Sequence, residues 1–407
     1  MTPSSRPQHF HRIVFALALS IGISFGAILY GTSVMLTSHA AGSAYSLPLL
    51  STAFSGSVVT GGLMAVPVGR SADRRGVRGI IGAGGVLVFA GFLVFAGSAQ
   101  PWQVVAAWWL LIGPGSAMVL FDPAFIALQQ WFGREDRNRA AGTLTVITGL
   151  AGPIFVPAVT SIVDLGGWRV AAVLLGTTVC AVTTAAAAWA LRVAPKPPAG
   201  QSAAHTADQT TRSSSNSQPF TLPPGFILIT TAVALTMAVL EASTVHRIAR
   251  FEAVGFETAA LGWWAAAVGL LSLPGRYVVP FLARRWDGAG IWAALTALLI
   301  PALVLAIRGT HTWEMNGHFI VFGLLFGAFM PLRAVVMSDW YSGPRFGYLM
   351  GIQSIALAAG RAAGPALLGW VADTSAGYPG GMALLTLALL TVLPLLIAAR
   401  IRRRQVD

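Results

Sequence analysis

The sequence predicts an all-α membrane protein in which twelve transmembrane helices form two pseudo-symmetric six-helix bundles. Three observations predict it. Of 407 residues, 55% are hydrophobic and only 10% are charged, against roughly 25% charged in a soluble globular chain, so lipid must cover much of the exterior. Apolar stretches near the ~20 residues that cross ~30 Å of hydrocarbon recur along the chain. A polar stretch midway divides them into two equal sets.

Twelve stretches read as spans: 13–36, 48–68, 79–99, 102–128, 140–163, 168–191, 223–245, 258–283, 289–307, 315–338, 346–370 and 380–399. The first follows Arg6 and Arg12 as a signal peptide would, but its length exceeds a secretory h-region of about 7 to 15 residues, and a retained helix is expected. Glycine (45 residues) and interior prolines such as Pro67, Pro114, Pro153 and Pro274 would weaken soluble helices. Membrane helices use them for close packing and bending.

Residues 193–221 are rich in Pro, Ala, Ser, Thr and Gln and read as a disordered cytoplasmic linker. It separates an N-terminal bundle, 1–192, from a C-terminal one, 222–407. Local patterns repeat across it. Trp131-Phe132, Gly142 and Gly152-Pro153 match Trp340-Tyr341, Gly351 and Gly364-Pro365, and ADRRG at 72–76 echoes ARRWDG at 283–288. Duplicated halves of this kind hold their working site at the mutual interface, near the bilayer midplane.

With the amino terminus inside, one set of connections holds 19 of the 26 basic residues and the opposite set only four, Arg169, Arg247, Arg250 and Arg308. The positive-inside rule then puts both termini in the cytoplasm of a multi-pass plasma (inner) membrane protein. The net charge of +12 is thereby topological, and no nucleic-acid partner is expected. Cys180 is the single cysteine, so no internal disulfide or thiolate metal cage is available, and no cofactor or metal is expected. HExxH, GxSxG, a GK[ST] phosphate loop and paired catalytic carboxylates are lacking, which argues against an enzyme and against an ATP-driven pump.

Three arginines, Arg276, Arg333 and Arg361, fall inside spans. Each costs roughly 2.5 to 3.5 kcal/mol at a span centre unless paired, hydrated or snorkelling. A guanidinium grips a carboxylate bidentately and stays charged, so all three are candidate anion-binding groups. The alternatives are snorkelling, carbonyl capping and, for Arg333 and Arg361, a static pair with Asp122. Asp122 is the acid inside a span, to be read as a proton-coupling site or as that pair. Glu241, near the outer end of span seven, reads as a solvated acid. His246 is a candidate substrate donor or pH-sensitive gate, and the hydroxyls of Tyr30 and Tyr277 are candidate carboxylate contacts. Trp108, Trp109, Trp263 and Trp264 read as an interfacial belt.

The segment Gly69-Arg-Ser-Ala-Asp73-Arg74-Arg-Gly76-Val-Arg78 resembles the signature between spans two and three of the major facilitator superfamily. There glycines permit a tight turn, and Asp73 can face an opposing helix N-terminus or an arginine and latch one conformation. The resemblance implies the major facilitator fold, with Gly69, Asp73, Arg74, Gly76 and Arg78 as a conformational latch. Within that superfamily the chain is similar to the monocarboxylate transporter and oxalate/formate antiporter branch. Trp131-Phe132-Gly133 with Arg137, Ala141 and Gly142 looks like its fourth-to-fifth span segment, Gly167-Trp168-Arg169 like the start of its sixth, and Gly364-Pro365 with Gly369-Trp370 and Asp373 like its eleventh. His246, Gly255 and Gly275-Arg276 resemble its seventh-to-eighth span region, where a histidine and an arginine of some members engage the substrate carboxylate. Two positions depart from the branch: Asp122 stands where an aromatic is common, and Ser272 where many members carry an acid.

Three positive charges against one negative favour an anion in a central cavity. The expected function is therefore secondary active transport of a small organic anion, a monocarboxylate or small dicarboxylate, by alternating access with proton symport or anion exchange. The alternative is proton-coupled multidrug efflux with Asp122 as the coupling acid.

Overall fold

The computed structural model describes residues 9–37, 45–192 and 221–405. Among them the chain is helical throughout, without a strand. The spans are α1 (Phe10–Met35), α2 (Pro48–Arg75), α3 (Arg78–Ala96), α4 (Pro101–Trp131), α5 (134–166), α6 (168–190), α7 (Phe226–Glu252), α8 (Thr258–Leu282), α9 (Gly288–Arg308), α10 (Thr312–Trp340), α11 (Phe346–Ala372) and α12 (Gly377–Arg403). The helical run Arg134–Ala190 has 57 residues, roughly 85 Å at 1.5 Å per residue. It therefore contains two crossings, and the chain reverses at Gly167, whose φ of 79° and ψ of 168° leave the helix. The expected linker, 193–221, lies outside the described residues except for its last position.

The halves echo one another in their irregularities. α4 is interrupted at Leu120 (φ −86°, ψ −152°), and α10 at Gly327 and Ala328. These breaks lie eleven residues before Trp131 and twelve to thirteen before Trp340. Each is followed by a short helix, Phe121–Trp131 or Phe329–Trp340, that packs against the other half.

By the alternation of twelve spans, the described ends and the turns α2–α3, α4–α5, α8–α9 and α10–α11 share one face, the basic face. The halves meet over the part of the bilayer nearest it. One buried core joins the basic-face ends of α1 (Phe10 to Ile21), α2 (Val68, Ala72) and α4 (Phe121 to Leu128) to the C-terminal half. The far-side parts of those helices (Ala27 to Met35, Leu50, Ala53, Val104 to Ile112) form a separate core with α3, α5 and α6 alone.

Glycine makes the joint possible. A Cβ on Gly347 would stand 2.5 Å from the Gly69 carbonyl oxygen, and one on Gly351 2.5 Å from that of Ala65, so α2 and α11 meet backbone to backbone. On the other flank, a Cβ on Gly142 would stand 2.7 Å from Pro280, and one on Gly149 2.8 Å from Leu273, closing α5 on α8. Gly269 lies one turn beyond Leu273, toward the far side, and nothing comes within 4 Å of where its side chain would be. The cleft between the halves is thus shut at the basic face and parts beyond the midplane.

Two expectations are corrected. α7 runs past the expected residue 245, so Arg247 and Arg250 are helix residues, 5% and 2% exposed, and not loop charges. Arg250 donates to the carbonyls of Ala306, Ile307 and Arg308, the orphan acceptors at the C-terminus of α9. Trp108, assigned to the interfacial belt, is 1% exposed and packs edge-on against Phe54, Phe92 and Phe95. Trp263 does face outward, 79% exposed.

The backbone contact of α2 with α11 yields a prediction. On a Cys180→Ser background carrying spin labels at the basic-face ends of the two helices, Gly351→Val will lengthen the inter-label distance. Gly79→Val, where a Cβ meets nothing within 4 Å, will leave it unchanged.

Candidate functional site

Three polar layers stack along the interface. The layer at the basic face is built on Asp73, whose Oδ1 accepts the Gly347 N–H at 2.7 Å and whose Oδ2 accepts that of Tyr348 at 2.8 Å. These belong to the first turn of α11, where N–H groups lack helical partners and the helix dipole favours a carboxylate. Arg70 places its guanidinium 4.4 Å over the Tyr348 ring. Gly69 lies within α2, so its role is close approach and not a turn; the turn is made by Gly76, at φ 75°. Arg74 is exposed, and Arg78 donates to the Ala187 carbonyl at 3.0 Å within its own half. A second clasp forms where Asp339 of α10 receives Arg134 at 3.0 Å and Arg137 at 3.1 Å from α5.

The middle layer holds Asp122 and Arg333. Because α4 restarts at Phe121, Asp122 occupies the first turn of a new helix and points across the interface. Arg333 is 1% exposed. It donates from Nη1 to Asp122 Oδ1 at 2.8 Å, from Nε to Gln353 Oε1 at 2.8 Å, and from Nη2 to Ser354 Oγ at 2.6 Å. The Ser354 hydroxyl in turn donates to Asp122 Oδ2. Of the readings open for Arg333, this geometry is the ion pair: its guanidinium is held on every side and joins α4 of one half to α10 and α11 of the other.

The layer nearest the midplane contains the remaining candidates. Arg276 reaches from α8 to α5, where Nη1 donates to the Thr145 carbonyl at 2.9 Å and the guanidinium lies on bare backbone at Gly149. Among the described residues it makes no ion pair; Nε has no hydrogen-bond partner and no bond from Nη2 is present. Tyr30 lies within a π-helical turn of α1, Gly26–Gly31, an irregularity of the kind that re-aims side chains at functional sites. Its ring rests on Gly152, within electrostatic reach of Arg276 and Glu241. Arg361 and Glu241 form a two-pronged pair at 3.1 and 3.2 Å, each about one-third exposed. Glu241 is therefore not the lone solvated acid expected. It neutralises Arg361, for which the sequence had offered Asp122 or backbone carbonyls as partners.

Two candidates stand apart from this layer. His246 Nε2 is 2.9 Å from the Pro365 carbonyl, where it ties α7 to α11 one turn farther out. Tyr277, expected at the cavity, is 75% exposed and shares an outward arc of α8 with Leu270, Val278 and Phe281. One residue of helix is a turn of about 100°, so the arc that faces lipid follows directly on the arc that carries Arg276. Sequence reasoning also missed Gln353, Ser354, Asp339 and the Gly149/Gly152 seat. The spacing of those two glycines, three apart on one face, was the available signal.

The middle layer yields a stability prediction. Removing one member of a buried, hydrogen-bonded ion pair costs roughly 3 to 5 kcal/mol, because the other charge is stranded, whereas replacing both costs less. Asp122→Ala will lower the thermal unfolding midpoint in detergent, and the double variant Asp122→Ala/Arg333→Met will recover part of that loss. Additive losses would show the two side chains to be uncoupled.

No curated protein matches the chain by sequence. Its fold resembles the human organic anion transporter MFSD10 (TETRAN), with a TM-score of 0.74 at 16% identity over 97% of this chain and 100% of that one. The proton:xylose symporter XylE aligns with a TM-score of 0.74 at 13% identity over 96% and 95%. The E. coli fucose:proton symporter FucP, in an outward conformation, aligns with a TM-score of 0.68 at 14% identity over 95% and 98%. At such identities the likeness establishes the fold. The sequence profile of the Major Facilitator Superfamily matches residues 13–321, and the chain belongs to that family of membrane transporters.

Proposed function

We propose that this chain is a secondary transporter of a small organic anion, a monocarboxylate or small dicarboxylate, bound between the halves at Arg276. The observation that carries the proposal is the state of Arg276. Of the three arginines inside spans, Arg333 is saturated and Arg361 is neutralised, while Arg276 has no carboxylate partner among the described residues and bonds only the Thr145 carbonyl, on the helix face that two turns farther on opens at Gly269. The layer around it holds Arg276, Arg361 and Glu241, an excess of one positive charge that suits one carboxylate. Tyr30, seated on Gly152, is placed to hydrogen-bond the same ligand. One neighbour in fold transports organic anions and two transport sugars, so likeness of fold alone does not choose between them.

The arginine asymmetry of the connections supports a cytoplasmic basic face, and on that reading this conformation is the one closed to the cytoplasm. Alternating access requires the Asp73, Asp339 and Asp122 contacts to break together as one half rocks against the other. Protonation of Asp122 would remove the acceptor charge of its pair with Arg333. This offers a route from proton binding to release of the halves, and so to symport.

Two measurements test this. Purified protein in proteoliposomes will exchange a labelled acid from a series that includes lactate, formate and oxalate, and Arg276→Ala will weaken the binding of that acid by roughly ten- to a hundredfold, the loss expected for a hydrogen bond to a charged group. Transport that tolerates Arg276→Ala but fails in Asp122→Asn, with apolar or cationic compounds as substrates, would instead establish proton-coupled drug efflux.

A further inference from the structure

A recess lies away from the midplane site, at the basic face, with a volume of about 650 Å3. It is bounded by the α4–α5 turn (Arg134, Arg137), the α8–α9 turn (Arg284, Arg285, Asp287) and the ends of α10 and α12 (Asp339, Arg400, Arg403). Six guanidinium groups thus line it against two carboxylates. Asp339 is already shared by Arg134 and Arg137. Asp287 accepts the Trp340 indole N–H at 3.1 Å and stands 3.6 Å from Arg400. Glu135, at the margin and 65% exposed, lies 3.6 Å from Arg284, a screened pair of little strength. Arg137, with its side chain only 9% exposed, keeps an Nε without a hydrogen-bond partner.

A solvated basic surface would spread its charges apart. Here they are gathered around a concavity within the size range of small-molecule sites, roughly 300 to 1,000 Å3. The excess of four positive charges calls for a multivalent anion, and the guanidinium fork matches the oxygens of a phosphate group. We propose that this recess binds a phosphate-bearing anion, the headgroup of an anionic lipid or a soluble phosphorylated compound, and that the ligand holds the basic face closed. Arg134 and Arg137 come from the N-terminal half, and Arg284, Arg285, Arg400 and Arg403 from the C-terminal half. A ligand that touches both sets binds only where the halves meet, and so shifts the population toward that state. The inference does not depend on the identity of the substrate at Arg276, and its test reads stability and conformation, not transport.

The full chain is placed in nanodiscs of neutral phosphatidylcholine with and without pyrophosphate at constant ionic strength, and in nanodiscs containing phosphatidylglycerol without added phosphate. Thermal unfolding and the distance between spin labels on the basic-face ends of α2 and α11 are recorded in each. The proposal expects a rise in the unfolding midpoint and a shift toward the short distance in at least one arm; the lipid arm identifies a headgroup and the pyrophosphate arm a soluble ligand. Arg285→Gln/Arg400→Gln will abolish both responses, and Arg402→Gln, on the same terminal helix but outside the recess, will preserve them. If the double variant does not fold, Arg285→Gln alone is read, since its exposed side chain can be changed without opening the core. No response in either arm would overturn the proposal, as would an equal loss in Arg402→Gln, which would reduce the recess to diffuse surface charge.

Discussion

A guanidinium group cannot shed its charge in a membrane, and it must therefore be paired, hydrated or bound to a ligand. This constraint orders the whole interface. Arg333 is paired across the halves with Asp122 and further held by Gln353 and Ser354. Arg361 is paired within its own half by Glu241. Arg276 alone among the three has a backbone carbonyl as its only bonded partner, and sits where the cleft begins to part. A saturated pair can clasp two bodies together, and an unsaturated cation can recognise an anion. Both are present, a few turns apart.

The second constraint is steric. Helices in lipid gain nothing from hiding apolar side chains from one another, so association rests on close packing and hydrogen bonds. The Gly69–Gly347 and Ala65–Gly351 approaches bring α2 and α11 close enough for Asp73 to reach the N-terminus of α11. The capping bonds and the glycine contacts are therefore one device. Each clasp joins a group on one half to a group on the other, so on the proposed mechanism rocking the halves apart would break all of them together.

Much of this architecture was legible in the sequence. Hydropathy and charge asymmetry outlined the spans because lipid imposes a length and a composition on every helix that crosses it. Asp73 was legible because its neighbours resemble a known signature, and of the two partners open to it, a helix N-terminus or an arginine, the structure places its carboxylate on the first. Partnerships were not legible. Nothing in the local sequence couples Arg361 to Glu241, 120 residues away, or Asp339 to Arg134, since such pairs depend on which helices become neighbours. Tyr277 failed for a different reason: depth can be read from position in a span, whereas the face of a helix turns by about 100° with every residue. The charges expected at Arg247 and Arg250 were misplaced because α7 extends past its apolar stretch to cap α9.

The central claim is that the midplane site selects its ligand by negative charge. Equilibrium binding of matched compounds, each carboxylic acid beside its neutral amide of the same shape, measures that selection directly on the wild-type protein. The account predicts saturable binding of at least one carboxylate, with its amide weaker by tenfold or more. Equal or tighter binding of the amide throughout the series would contradict it and return Arg276 to a purely structural role.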